Sequence, residues 1–242
     1  MKKIKMIYLL PNLFTALSVF FGMMSVIASS QEKFEKAFIY IVLSFIADGL
    51  DGRVARLTNT QSKFGLEFDS LADIVAFGVA PAMMLFFSIG QTYGKVGALI
   101  TGLFVVFGTI RLARFNITTE NNDPTLFIGL PIPTAAATLA TFIMLNLDLN
   151  RNFNLEILII AIGLGILMVS NLKFPSFKKI DFSQNLKMKV IITLILIGSF
   201  LYLWTIWTLS ILLGLYILYG LFISSINSIK KEKEKNNQDS KE

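Results

Sequence analysis

The sequence predicts an all-α, polytopic membrane bundle of about eight transmembrane helices, and three observations carry that prediction. The 242-residue chain is 54% apolar and only 16% charged. Its apolar residues gather into successive runs near the roughly 20 residues that a helix needs to cross a bilayer. Finally, the basic residues sort by side when those runs are threaded through a membrane.

The expected spans are 11–29, 36–57, 64–89, 93–115, 132–147, 153–170, 188–204 and 206–227. The first opens at Pro11-Asn12, which suits a helix start at a membrane surface. Its apolar run is long for the core of a cleaved signal peptide, so it is read as a retained span. The second and third are joined by a short turn near 58–63. The polar stretch "NITTENNDPTLFIGLPIP" (116–133) links the fourth and fifth, and "KFPSFKKIDFSQNLK" (173–187) links the sixth and seventh. Spans six to eight hold almost no polar side chain beyond Ser, Thr and Asn. Residues 1–229 are expected to form one transmembrane catalytic domain, and 230–242 a charged, disordered cytoplasmic tail.

With the N-terminus inside, the cytoplasmic segments hold 18 of the 22 basic residues; Lys33, Lys36, Lys95 and Arg151 are the four outside. That bias fixes both termini in the cytoplasm. It also accounts for most of the net charge of +6 as topology, so nucleic acid is not an expected partner. The chain has no cysteine and no histidine. Thiolate and imidazole chemistry and most zinc sites are thereby excluded. What is left is carboxylates, Arg, Lys and metals that prefer oxygen.

Against this background residues 47–73, "ADGLDGRVARLTNTQSKFGLEFDSLAD", stand out. Between Lys36 and Lys95 every charged residue falls inside that stretch: Asp48, Asp51, Arg53, Arg56, Lys63, Glu67, Asp69 and Asp73. Asp48 and Asp51 are three apart and share a helix face. In the next span Gly65, Asp69 and Asp73 are spaced i, i+4, i+8, again on one face. At 1.5 Å of rise per residue, Asp51 and Asp69 each lie about 9 Å in from the turn, Asp48 about 13 Å and Asp73 about 15 Å. Two antiparallel helices thus bring four carboxylates to matching depths, just under the cytoplasmic surface.

Four carboxylates so close cannot all stay ionised without compensation. Protonation is one remedy and metal binding the other. Structural packing is a poor explanation for four facing acids at this depth, because intramembrane carboxylates are costly. The favoured reading is a pair of divalent cations, Mg²⁺ or Mn²⁺, with Ca²⁺ a possible occupant. Gly52, Ala55 and Gly65 are small and let a bulky group approach the backbone. Arg56 is a fork-shaped donor suited to phosphate, and Lys63 stands near it. Glu67 points roughly 160° away from Asp69 around the helix and is not expected to be a ligand. Together these describe a diphosphate site at the membrane surface.

The spacing Asp48-x2-Asp51-Gly52-x2-Ala55-Arg56-x8-Gly65-x3-Asp69-x3-Asp73 resembles, at every fixed position, the signature of the CDP-alcohol phosphotransferases. The resemblance implies a membrane enzyme, typically homodimeric, with a six-helix core, in which an alcohol displaces CMP from a CDP-linked lipid. By that resemblance Asp48, Asp51, Asp69 and Asp73 are metal ligands and Asp73 is also the general base. Gly52, Ala55, Arg56 and Gly65 would lie by the nucleotide and diphosphate; Lys63, outside the signature, is a further candidate there on its charge alone. Within the family the chain is most similar to the prokaryotic phosphatidylserine synthases, through "PNLFTALSVFFGMMSV" (11–26), "SKFGLEFDSLADIVAFGVAPA" (62–82), "RLARFN" (111–116) and "GLPIP" (129–133). That similarity implies CDP-diacylglycerol, or an ether-lipid analogue, and L-serine as substrates, and a prokaryotic cell membrane as location.

Arg111 and Arg114 share a face at the cytoplasmic end of span four, where a bidentate contact could orient the serine carboxylate. Asn116 would assist, and Pro131-Ile132-Pro133 could line the same pocket. Glycerol 3-phosphate or an inositol phosphate are the alternative acceptors, and each would call for a second anion site. A cation transporter is the remote alternative, but it would spread polar groups through the membrane, whereas these stop at about half depth.

Overall fold

The computed structural model describes residues 9–118, 126–149, 153–175 and 205–239. Seven of the expected spans fall on helices: α1 (Leu9–Ser30), α2 (Phe34–Leu57), α3 continued by α4 (Lys63–Asp73 and Ala80–Ser88), α5 (Gly94–Thr118), α6 (Ile132–Asp148), α7 (Asn154–Val169) and α8 (Thr205–Asp239). The span expected at 188–204 lies outside the described residues. Leu9–Ser30, Lys63–Ser88, Gly90–Ile117 and Thr205–Ser224 are long and apolar enough to cross a membrane. The α2 helix has the length, but the charges of the acidic motif set its composition apart. Four spans therefore rest on length and hydropathy among the described residues, and the count of eight is not reached there.

The fold departs from the expectation in two places. Leu126–Ile128 (β1) and Lys173–Pro175 (β2) form a short antiparallel ribbon, with Phe127 opposite Phe174. The expected disordered tail instead continues α8 as far as Asp239. Lys and Glu are strong helix formers, so a helix already nucleated in the apolar segment runs on through them.

Small residues set the packing of the first two helices. The buried face of α1 is Pro11, Thr15, Ser18, Gly22, Ser25, Ala28 and Ser29; that of α2 is Ala37, Ile41, Ser44, Ala47 and Asp51. Lipid tails are as apolar as leucine, so helices in a bilayer gain from close approach and hydrogen bonds between them rather than from hydrophobicity. Ser18 and Ser44 supply such a bond, Oγ to Oγ at 2.9 Å, and the Ser44 hydroxyl also reaches the Ser18 carbonyl at 2.8 Å.

Directly after Asp73 the helix widens into a π-helical stretch, Ile74–Val79, in which the Ala80 N–H donates to the Val75 carbonyl. Pro81 sits in the first turn of α4. Its ring has no N–H and would collide with a carbonyl four residues back in a regular helix, and the wider turn relieves that conflict. The inserted residue also re-aims Asp73 relative to the buried half of the helix. On this stretch Ala76, Phe77 and Gly78 are buried. A side chain at Gly22 would stand 3.0 Å from the Ala76 Cα, so α1 rests on bare backbone at that point.

Behind the α1–α4 unit, α5 packs on α7, and α6 contacts α4, α7 and α8. Phe77, Phe104, Met84, Leu85, Leu139, Ile143 and Leu158 are fully buried between them. Arg114 ties this layer together. Its guanidinium donates to the carbonyls of Val169 (2.8 Å), Ser170 (2.9 Å), Met168 (3.2 Å) and Ile128 (3.4 Å). Three of these are carbonyls at the C-terminal end of α7, which lack helical partners and favour a cation. Gly129 runs past the same point with φ +73°, and a side chain there would strike the Met168 carbonyl and the Arg114 guanidinium. Only glycine fits both the conformation and the space.

Two stability measurements follow. Gly22→Leu should force α1 off Ala76 and lower stability by about 1–3 kcal/mol, read as an earlier thermal transition in detergent; an unchanged transition refutes the close contact. Arg114→Met keeps the stem but strands carbonyls that had a charged donor, at a cost of about 2 kcal/mol or more. Its apparent melting temperature should fall by several degrees, and a melting curve like the parent's would show the tether to be dispensable.

Candidate active site

The turn between α2 and α3 fixes the depth of the acids. Thr58 closes α2, its N–H and hydroxyl both donating to the Val54 carbonyl, at 2.9 and 2.7 Å. Asn59 takes the left-handed conformation at φ +51°, which Asn tolerates better than most residues. The Ser62 hydroxyl then accepts from the Gly65 N–H at 3.0 Å and caps α3, as a serine at that position is suited to do. The hairpin is thus pinned on both arms before the first aspartate is reached.

Within it, one carboxylate oxygen from each of Asp48, Asp51 and Asp69 lies within 4.8 Å of the others. Asp51 and Asp69 stand within hydrogen-bonding reach of each other, and so do Asp48 and Asp73. These are the two pairs placed level by counting helical rise. Asp73 is the deepest, and its Oδ1 is buried with no hydrogen-bond partner. Glu67 is exposed and stands outside the group.

A cleft of about 290 Å³ opens beside Asp51 and Asp69, with Gly52, Ala55, Arg56 and Gly65 in its wall. A side chain at Gly52 would meet the Arg56 guanidinium at 3.4 Å, so the arginine folds back over that glycine toward the cleft. Lys63, expected with these residues, is exposed at the start of α3 and is not among those lining the cleft.

The cleft also has a wall that the acidic motif does not announce. Pro11, Asn12 and Thr15 of α1 line it. The Thr15 hydroxyl donates to Asp51 Oδ2 at 2.7 Å, and the Asn12 side-chain oxygen stands 3.3 Å from where a Gly65 side chain would begin. The signal for these lay in the polar residues Asn12, Thr15 and Ser18, which recur at helical spacing in an otherwise apolar span.

On the deep side Arg111 is 5% exposed, and its Nε has no hydrogen-bond partner. It lies within electrostatic range of Asp73, and its guanidinium stands over the Phe115 ring, 5.0 Å from the centroid. Tyr216 of α8 comes within the same range of Arg111, a contribution from a helix with no sequence signal for it. Arg114, three residues on, is turned to the α7 carbonyls. Asn116 donates from Nδ2 to the Ser70 hydroxyl at 3.0 Å, next to Asp69, and so ties α5 to α3. Leu130 and Ile132 of the "GLPIP" stretch are fully buried in the core and do not line the cleft.

The donor set fits hard divalent cations. It offers carboxylate oxygens only, three of them already converged, with a fourth acid whose buried oxygen lacks a partner. A carboxylate site with an adjoining cleft and an arginine on either side is suited to holding a diphosphate and a second, smaller anion.

Residues 8–169 match the family model described as CDP-alcohol phosphatidyltransferase. The chain is 48% identical over 194 residues, 79% of its own length and 82% of the relative's, to a Helicobacter pylori protein named CDP-diacylglycerol–serine O-phosphatidyltransferase. A Methanocaldococcus jannaschii protein of the same name is 35% identical, covering 73% of this chain and 79% of the relative. A Methanothermobacter thermautotrophicus archaetidylserine synthase is 33% identical over 72% of each chain. Matched over most of its length, with the acidic hairpin inside the matched region, this chain belongs to the CDP-alcohol phosphatidyltransferase family.

Proposed function

We propose that the protein makes phosphatidylserine and CMP from CDP-diacylglycerol and L-serine, at the cytoplasmic face of a prokaryotic membrane. The observation that carries the proposal is the opposition of Asp73 and Arg111 behind the converged carboxylates. A hydroxyl offered to one and a carboxylate offered to the other describe an amino-acid alcohol. The names of the relatives support the same substrates, and the bacterial relatives are the more identical, which favours diacylglycerol over an ether lipid. The cytoplasmic placement rests on the basic-residue bias.

In this reading Asp48, Asp51, Asp69 and Asp73 hold two divalent cations, Mg²⁺ or Mn²⁺. Bound there, the pair would offset the acids and the diphosphate and polarise the phosphoryl oxygens. Gly52, Ala55 and Gly65 let the nucleotide lie against the helix backbones, and Arg56 grips the diphosphate from the cleft wall. Arg111 orients serine through its carboxylate, with Asn116 and Ser70 closing the α3–α5 side. The serine oxygen attacks the phosphorus that carries the lipid. As that bond forms, its proton passes to Asp73, and the bond to the CMP oxygen breaks with the electron pair leaving on CMP. Positioning is central, because an aliphatic hydroxyl is a weak acid and must lose its proton as the new bond forms. The homodimer that the family resemblance implies belongs to this reading too, and cross-linking in native membranes tests it.

Purified protein given CDP-diacylglycerol, Mn²⁺ or Mg²⁺ and radiolabelled serine should form labelled phosphatidylserine, with little product from glycerol 3-phosphate or inositol phosphate. Product from a phosphorylated alcohol and none from serine refutes the acceptor. Asp73→Asn should still bind the CDP-lipid while turnover falls by about 10²-fold or more. Undiminished turnover in that variant removes the base assignment.

A further inference from the structure

We infer that Thr15, on α1 and outside the acidic hairpin, is a positioning residue that orients the Asp51 carboxylate toward the metal pair. The inference rests on the two-cation reading given above. Thr15 is 3% exposed and Asp51 6%. The Thr15 hydroxyl lies 2.7 Å from Asp51 Oδ2 and 3.3 Å from the Pro11 carbonyl one turn back. A hydroxyl has one proton to give. The shorter contact, to a charged acceptor, takes it, and the bond to the helix backbone is left as the weaker alternative.

Asp51 is where such a bond matters. It stands among three other acids, and besides Thr15 its neighbours are the Gly52 backbone N–H and then the carboxylate of Asp69. Repulsion would swing an unrestrained side chain toward the open cleft. A hydroxyl fixed on Oδ2 holds the carboxylate at the acidic cluster, with the Gly52 N–H as a local second partner. Hydrogen bonds of this kind to metal-ligating carboxylates typically change metal affinity by about 10–100-fold. The hydroxyl is itself fixed, because its helix rests on the bare backbone of Ala76 at Gly22. A threonine, with its β-branch restricting χ1, suits that seat.

Mn²⁺ binding to substrate-free protein in detergent, followed by the electron paramagnetic resonance of free Mn²⁺, tests this without reference to turnover. Thr15→Val keeps the volume and branching and removes the donor; its Mn²⁺ dissociation constant should rise about tenfold. Thr15→Ser should restore most of the affinity. Ser44→Ala removes the neighbouring bond between the same two helices and should lower the melting temperature without moving Mn²⁺ affinity. In assays, Thr15→Val should raise the Mn²⁺ concentration for half-maximal rate while leaving most of the rate at saturation. Parent-like Mn²⁺ affinity in Thr15→Val, or an equal loss in Ser44→Ala, overturns the inference and leaves the two-cation reading intact. Failure of the parent protein to bind Mn²⁺ overturns both. Should Thr15→Val not fold, the comparison of Thr15→Ser with the parent decides, since a serine that leaves the affinity tenfold weaker rules out a role for the hydroxyl alone.

Discussion

Everything in this molecule answers to the electrostatic cost of putting four carboxylates on neighbouring helices in a bilayer. Each acid alone would be expensive there, and together they repel. A sequence can keep them only if the fold supplies partners at fixed positions. Here those partners are one another at hydrogen-bonding range, a threonine hydroxyl from α1 and a buried arginine from α5. The cluster is therefore not a decoration on a helical bundle. The contacts of four helices, α1, α2, α3 and α5, are arranged around it.

Two features give the arrangement the necessary rigidity. One is the use of small residues where α1 meets α2 and the π-helical stretch, which lets backbones touch and hydroxyls cross between helices. Bulky aliphatic side chains would fill the same space but hold the helices apart, and no hydroxyl on α1 could then reach Asp51. The other is the widened turn after Asp73. Pro81 makes a regular helix unfavourable there, and the extra residue lets the acidic half of the helix and its buried half face different neighbours. A π-turn beside a proposed catalytic side chain is a frequent association, and in this protein it has a local cause.

Which parts were legible in the sequence follows from how local each signal is. The depth of the aspartates depends only on helical rise and on one short turn, so counting residues brought Asp51 level with Asp69 and Asp48 level with Asp73, as the structure has them. Helix positions depend on hydropathy over some 20 residues and were equally readable. Thr15 was not, because a threonine in an apolar helix reads as packing until the partner helix is known. The two arginines of "RLARFN" were indistinguishable for a related reason. They lie on one helix face, and only the tertiary neighbours separate them: the end of α7 meets Arg114, while Asp73 meets Arg111. The short ribbon leaves almost no mark in the sequence, because three-residue strands carry little pattern and their pairing joins segments about 47 positions apart.

That division between the arginines bears on the choice of acceptor. A phosphorylated alcohol brings a group of nearly two negative charges at neutral pH, in addition to those of the diphosphate in the proposed CDP-lipid. To hold it beside Asp73, a site in low dielectric needs more than one cationic group. Among the described residues Arg111 faces that side, and the Arg114 guanidinium is occupied by the carbonyls of α7 and β1. A zwitterionic amino acid asks for less, since one guanidinium meets its carboxylate and its own ammonium balances the charge. The balance of charge around Asp73 thus favours serine over a phosphorylated acceptor, through physics that is independent of the names of the relatives.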